Sequence, residues 1–118
     1  MIYLYIGLAG SLGAVARYAI SIIMVHDSGF PFSTLLVNLI GCYALAYLMS
    51  RRLRFSSKLK SAISTGFLGS FTTFSAFSVE TITMIEANQI GIAILYMTVS
   101  IVGGIMMSNL GWKKEVGP

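Results

Sequence analysis

The sequence predicts an all-α integral membrane protein, four transmembrane helices forming a single domain over residues 1–118. Three observations predict it. Of the 118 residues, 56% are hydrophobic and 10% are charged, against roughly 25% charged in an average soluble domain. Mean hydropathy is +0.83. Four apolar runs, each close to the roughly 20 residues that cross about 30 Å of hydrocarbon, are separated by short polar turns. A soluble domain this small has much surface to cover and too few charges here to cover it. A pI near 9.5 does not make the chain a nucleic-acid module, because its Lys and Arg stand in clusters between apolar runs and not along a solvated face.

The first run extends from about Ile2 to Met24 and holds one charge, Arg17. It is long and no basic residue precedes it, so it reads as a retained helix and not a cleaved signal. His26 to Pro31 form a polar turn with Gly29 and Pro31 as breakers, and His26 reads as a solvated loop residue. The second run, about Phe32 to Met49, ends in Arg51, Arg52 and Arg54, with Lys58 and Lys60 soon after. The third, about Ala62 to Ile85, carries Glu80. A minimal turn at Glu86-Ala87-Asn88 leads to the fourth, about Ile90 to Leu110, followed by Trp112, Lys113 and Lys114. A lone Cys42 excludes a disulfide framework and a Cys-based metal site, and reads as a small buried apolar side chain.

With four crossings, both termini and the middle loop share one side of the membrane. That side carries Arg51, Arg52, Arg54, Lys58, Lys60, Lys113 and Lys114, and the opposite loops carry no Lys or Arg. The positive-inside rule then places both termini in the cytoplasm of a multi-pass cell-membrane protein. Four helices enclose little volume, so a dimer or larger assembly is expected. Gly7 with Ser11, Gly10 with Ala14 and Gly104 with Ser108 have the spacing of close helix contacts.

The most informative segment is Thr65-Gly66-Phe67-Leu68-Gly69-Ser70-Phe71-Thr72-Thr73-Phe74-Ser75-Ala76-Phe77-Ser78, at membrane depth in the third run. A broken helix would use its glycines and hydroxyls, because unwound carbonyls there can line a protein-buried ion site. A kinked helix whose Ser and Thr bond back to their own carbonyls is the equal alternative. Asn38, deep in the second run, offers two amide donors that cost energy if left unpaired. Arg17 and Glu80 are the only charges inside the runs, and such residues are functional candidates by default. A salt bridge between them is the structural alternative, and Arg17 has the reach to snorkel to the interface. Tyr96 and Ser100, four apart, share one helix face.

At Gly10-Ser11-Leu12-Gly13-Ala14-Val15-Ala16-Arg17-Tyr18, Val37-Asn38-Leu39-Ile40-Gly41, Gly66-Phe67-Leu68-Gly69 and Thr72-Thr73-Phe74-Ser75-Ala76-Phe77, the chain resembles the Fluc (CrcB) fluoride channels. The resemblance covers nearly the whole chain. It implies four transmembrane helices with a broken third helix, working as an antiparallel dimer with two fluoride pores and one structural sodium ion at its centre. Its implied role is export of toxic fluoride from the cytoplasm. By position, the backbone carbonyls of Gly69 and Thr72 would bind the sodium, Phe74 and Phe77 would be the paired pore phenylalanines, and Asn38 the pore amide. Ser75, Tyr96 and Ser100 would form the adjoining polar track, and Arg17 resembles the family's vestibule arginine. Ser70 departs from the usual glycine after Gly69, and Ala76 from the usual threonine between the phenylalanines. The lost hydroxyl implies unequal pores where a partner restores it in only one.

The chemistry is consistent with that implication. Fluoride holds its water tightly, so a pore must offer several compact donors in exchange, and aromatic rings present a positive edge to an anion. Donor placement and pore width are ordinary sources of channel selectivity. An antiparallel homodimer needs both orientations from one sequence, whereas this chain is strongly biased. The expected partner is therefore a related chain of opposite bias, with a homodimer containing inverted minority chains as the competing expectation. A small proton-coupled multidrug exporter needs a carboxylate in the first helix, where this chain has Arg17. A non-conducting assembly subunit is the second rival, and it predicts no anion-dependent flux. No intramembrane His, nucleophile–base pair or metal-ligand cluster supports an enzyme.

Overall fold

A computed structural model describes residues 1–24, 30–51 and 54–112. Among them every regular element is helical: α1 (Ile2–Ile23), α2 (Phe32–Ser50), α3 (Ser57–Ser61), a π-helical stretch (Ala62–Leu68), α4 (Gly69–Phe71), α5 (Phe74–Glu86) and α6 (Ile90–Gly111). The expectations for His26, Arg52, Lys113 and Lys114 fall outside the described residues. α1, α2 and α6 are each long and apolar enough to cross a membrane, and the chain is a multi-pass membrane protein.

The third apolar run behaves differently. Ser56 caps its start, its hydroxyl accepting from the Leu59 N–H at 3.2 Å, a preferred capping arrangement. One helical path then runs over 57–71, its middle widened into the π form. At Thr72 (φ −85°, ψ 156°) and Thr73 (φ −150°, ψ 120°) the backbone is extended. The path resumes in α5, where the Thr73 hydroxyl accepts from the Ala76 N–H at 3.1 Å. The segment is broken, as the first alternative held, and its hydroxyls also bond back as the second held. Thr72 Oγ1 donates to Leu68 O at 2.9 Å and Thr81 Oγ1 to Phe77 O at 2.8 Å. At 1.5 Å per residue, each half is about 20 Å long, so neither half spans alone.

Close backbone contact explains where the glycines fall. α1 lies against the π-helical stretch, and a Cβ on Gly66 would stand 2.6 Å from Ile6 O. A Cβ on Gly13 would collide with Phe67 O. A Cβ on Gly10 would stand 3.1 Å from Ser70 Oγ, and one on Gly104 would stand 3.4 Å from Cys42 Sγ. Gly7, by contrast, meets nothing, and Ser11 is exposed. Among the described residues the Gly7/Ser11 pair therefore makes no close interhelical contact, and Ser11 Oγ instead donates to Gly7 O at 2.9 Å within α1.

α2 packs along α6, and α5 packs on α6 beyond the break. Arg51 ties the ends of α2 and α6 together: Nη1 donates to Gly111 O at 2.7 Å, and the guanidinium lies 3.8 Å over the Tyr47 ring. At the other end Asn88 takes φ 60°, which Asn tolerates, and its N–H caps Ile85 O at 3.1 Å. The small core there joins Met84, Ala93 and Tyr96 to Phe30, Leu35 and Phe77. The chain forms a slab of 49 × 38 × 20 Å, about two helix diameters thick. Of α1's 22 residues, only Gly13 is buried.

Candidate functional site

The break redistributes the hydrogen bonds that a continuous helix would make. In such a helix the Thr73 N–H would donate to Gly69 O and the Ala76 N–H to Thr72 O. Here Thr73 N donates to Asn38 Oδ1 at 2.8 Å, while Ala76 N donates to the Thr73 hydroxyl. The carbonyls of Gly69 and Thr72 thus lose their intrahelical donors. The next carbonyl, Ser70 O, accepts from Arg17 Nε at 3.1 Å. Asn38 closes the arrangement by donating from Nδ2 to Thr73 O at 3.1 Å. A buried unpaired backbone group is costly, so two side chains from neighbouring helices hold the broken strand.

The break borders a cavity of about 410 Å3, lined among others by Asn38, Gly69, Thr72, Phe74, Phe77 and Ser100. Gly41, one turn beyond Asn38, admits Thr72: any Cβ there would collide with Thr72 Cγ2. Phe74 and Phe77 lie 5.9 Å apart by ring centroids, and Phe77 packs 5.1 Å from Tyr96. Phe74 is 79% exposed, so one chain leaves this wall uncovered. Ser100 Oγ is buried without a hydrogen-bond partner among the described residues. Cys42 is half-buried and lines the same cavity.

Beyond Phe77 lies a polar cluster. The Thr34 hydroxyl donates to Glu80 Oε2 at 3.2 Å, and the Tyr96 hydroxyl donates to Glu80 Oε1 at 3.3 Å. Tyr96 is fully buried and Thr34 is buried. Hydroxyls in such positions need partners, and one carboxylate serves both.

These features sit on a chain whose relatives are known. A family profile described as CrcB-like protein, Camphor Resistance (CrcB), matches residues 4–112. The chain belongs to the CrcB family. It is 47% identical over 117 residues to the "Fluoride-specific ion channel FluC 1" of Bacillus cereus, covering 95% of this chain and 81% of that one. It is 45% identical over 114 residues to the "Fluoride-specific ion channel FluC 2" of Listeria innocua, covering 94% and 88%. It is 49% identical over 109 residues to the FluC 1 of Desulfitobacterium hafniense, covering 88% and 96%.

Within this CrcB chain, the residues singled out from sequence separate into groups. Asn38, Gly69, Thr72, Phe74, Phe77 and Ser100 meet at one cavity. Tyr96 stands behind Phe77, bonded to Glu80. Ser75 is exposed, its hydroxyl 3.3 Å from that of Thr73, and does not line the cavity. Arg17 reaches the break, and Glu80 is held by Thr34 and Tyr96, so the two charges form no bridge with each other. Sequence reasoning missed Thr34 and the capping role of Thr73. Thr34 and Asn38 are four apart on α2 and share a face, which was the signal available for the first.

Proposed function

We propose that this CrcB chain is a subunit of a fluoride-selective ion channel that exports fluoride across the cell membrane and so relieves its toxicity. The observation that carries the reading is the naming of relatives 45–49% identical over most of both chains as fluoride-specific channels. The cavity supports it with chemistry. Asn38 retains a second amide proton after bonding Thr73 O, and the Ser100 hydroxyl is unspent. Phenylalanine edges add a positive rim without competing acceptors. Several compact donors in a confined space are what a tightly hydrated anion requires.

In this reading α1, α2 and α6 cross the membrane singly, and 57–71 with α5 makes the fourth crossing. An antiparallel dimer supplies the missing wall: it covers exposed Phe74 and thickens the 20 Å slab, creating two pores. A sodium ion fits the carbonyls of Gly69 and Thr72, since half-helix ends with freed carbonyls are hard-oxygen ligands. The same pair from a second chain would complete its shell. Sodium supplies fixed positive charge at the centre, while Asn38 and Arg17 keep the strand in its extended form.

The described cations Arg51, Arg54, Lys58 and Lys60 belong to the end where Arg51 binds Gly111. The positive-inside rule turns this end, with both termini, to the cytoplasm. So strong a bias favours an oppositely oriented related chain as partner, with the homodimer as the other arrangement. Fluoride efflux from liposomes tests the function, with chloride and bromide as controls and the candidate partner added or omitted. Rapid fluoride efflux with no halide competitor passing is expected. Bromide flux equal to fluoride flux overturns the reading.

A further inference from the structure

A second cavity, of about 190 Å3, opens where α1 meets α3, lined by Tyr5, Ser56, Lys58, Leu59 and Ala62. It shares no lining residue with the fluoride cavity. Its lining is amphiphilic: one ammonium and two hydroxyl-bearing side chains stand beside Leu59 and the buried Ala62. The Ser56 oxygen already accepts the Leu59 N–H, which leaves its proton to donate outward.

Among the described residues, charge at this end is unbalanced. Lys58 and Arg54 are exposed, whereas Arg51 is spent on Gly111 O and the Tyr47 ring. Neither described carboxylate is near. Glu80 is held by Thr34 and Tyr96, and Glu86 closes α5 at the opposite end. A lining that sets a cation and hydroxyls beside Leu59 and the buried Ala62, next to membrane-crossing helices, complements an anion that carries a hydrocarbon tail. A free phosphate would use the cation and hydroxyls and leave Leu59 and Ala62 without purpose.

We infer that this cavity binds an anionic phospholipid of the surrounding leaflet, its phosphate meeting Lys58 and Ser56 and its glyceride portion lying on Leu59 and Ala62. The site rests on the membrane placement of the chain and not on its selectivity for fluoride. A juxtamembrane cation at the bound headgroup contributes about 1 kcal/mol to anionic-lipid binding, equivalent to about fivefold in affinity.

The test is titration of the purified membrane assembly, in uncharged detergent, with short-chain phosphatidylglycerol, short-chain phosphatidylcholine or glycerol phosphate, followed by melting temperature. Phosphatidylglycerol raises the melting temperature, and the other two leave it unchanged. Lys58→Gln weakens the phosphatidylglycerol response about fivefold, Lys58→Arg retains it, and Lys60→Gln, outside the cavity, retains it. The wild-type response shrinks as salt screens the Lys58 charge, a measurement independent of any variant. Equal responses to the two lipids, an undiminished response in Lys58→Gln, or equal stabilisation by glycerol phosphate each overturn the proposal. The readout is binding, so its failure is distinct from a failure of the fluoride reading, which is scored by flux.

Discussion

Replacing Asn38 by Leu removes the amide that spans the Thr73 peptide while keeping the side-chain volume nearly constant. Two hydrogen bonds disappear, one from Thr73 N at 2.8 Å and one to Thr73 O at 3.1 Å. A buried donor left without its acceptor costs about 1–3 kcal/mol, and every 1.4 kcal/mol is tenfold in an equilibrium. Amide hydrogen exchange at Thr73 therefore accelerates by roughly tenfold to a hundredfold in Asn38→Leu. The Thr72 amide, bonded to Leu68 O at 3.1 Å, keeps its protection and serves as the internal reference. Asn38→Asp separates anchoring from anion donation. Its carboxylate still accepts the Thr73 N–H, so Thr73 stays protected, but no proton remains for fluoride and flux collapses. Unchanged exchange at Thr73 in Asn38→Leu refutes the anchor. An equal acceleration at Thr72 refutes it too, by showing general loosening in place of a local release.

Two further substitutions probe the scaffold. Gly13→Ala drives a methyl group into Phe67 O, an overpacking that costs about 1–3 kcal/mol and lowers the melting temperature, whereas Gly7→Ala on the open side of the same helix does not. Glu80→Ala strips the acceptor from the Thr34 and Tyr96 hydroxyls; the Tyr96 hydroxyl, in a fully buried residue, is left unsatisfied at about 1–3 kcal/mol. Thermal unfolding in detergent reads this loss, and Thr34→Val introduced with Glu80→Ala recovers part of it by deleting one of the stranded groups.

The helix extents were legible because hydropathy and breakers act locally: α2 begins at Phe32 and α6 at Ile90, where the apolar runs were expected to start. The break was half legible. Clustered glycines and hydroxyls serve a kink and an interruption equally well, and the choice was made by Asn38 and Arg17, distant in sequence, which take over Thr73 N and Ser70 O. The π-helical stretch left no sequence signal of its own; it lies where Gly66 brings the backbone against Ile6 O, a contact only the folded chain defines. The salt-bridge alternative for the two embedded charges fails for a related reason. Arg17 and Glu80 are natural partners in a list of embedded charges, yet a free carbonyl and two hydroxyls are nearer to hand.

The proposed pairing of an anion pathway with a structural cation looks contradictory until the two ends created by the break are considered separately. The 57–71 path finishes there, so its last carbonyls point a partial negative charge at the centre, and α5 starts there, so its first N–H groups present a partial positive one. Asn38 occupies the Thr73 N–H and Arg17 occupies Ser70 O, and in the proposed reading the Gly69 and Thr72 carbonyls would take the cation. The side chains at the start of α5, Phe74 and Phe77, border the cavity on the positive side of the same break. A sodium ion on the carbonyl side would cancel the pole that repels fluoride while leaving the opposite pole untouched. Had the helix run through without interruption, both poles would be consumed in its own hydrogen bonds, and neither ion would have a place.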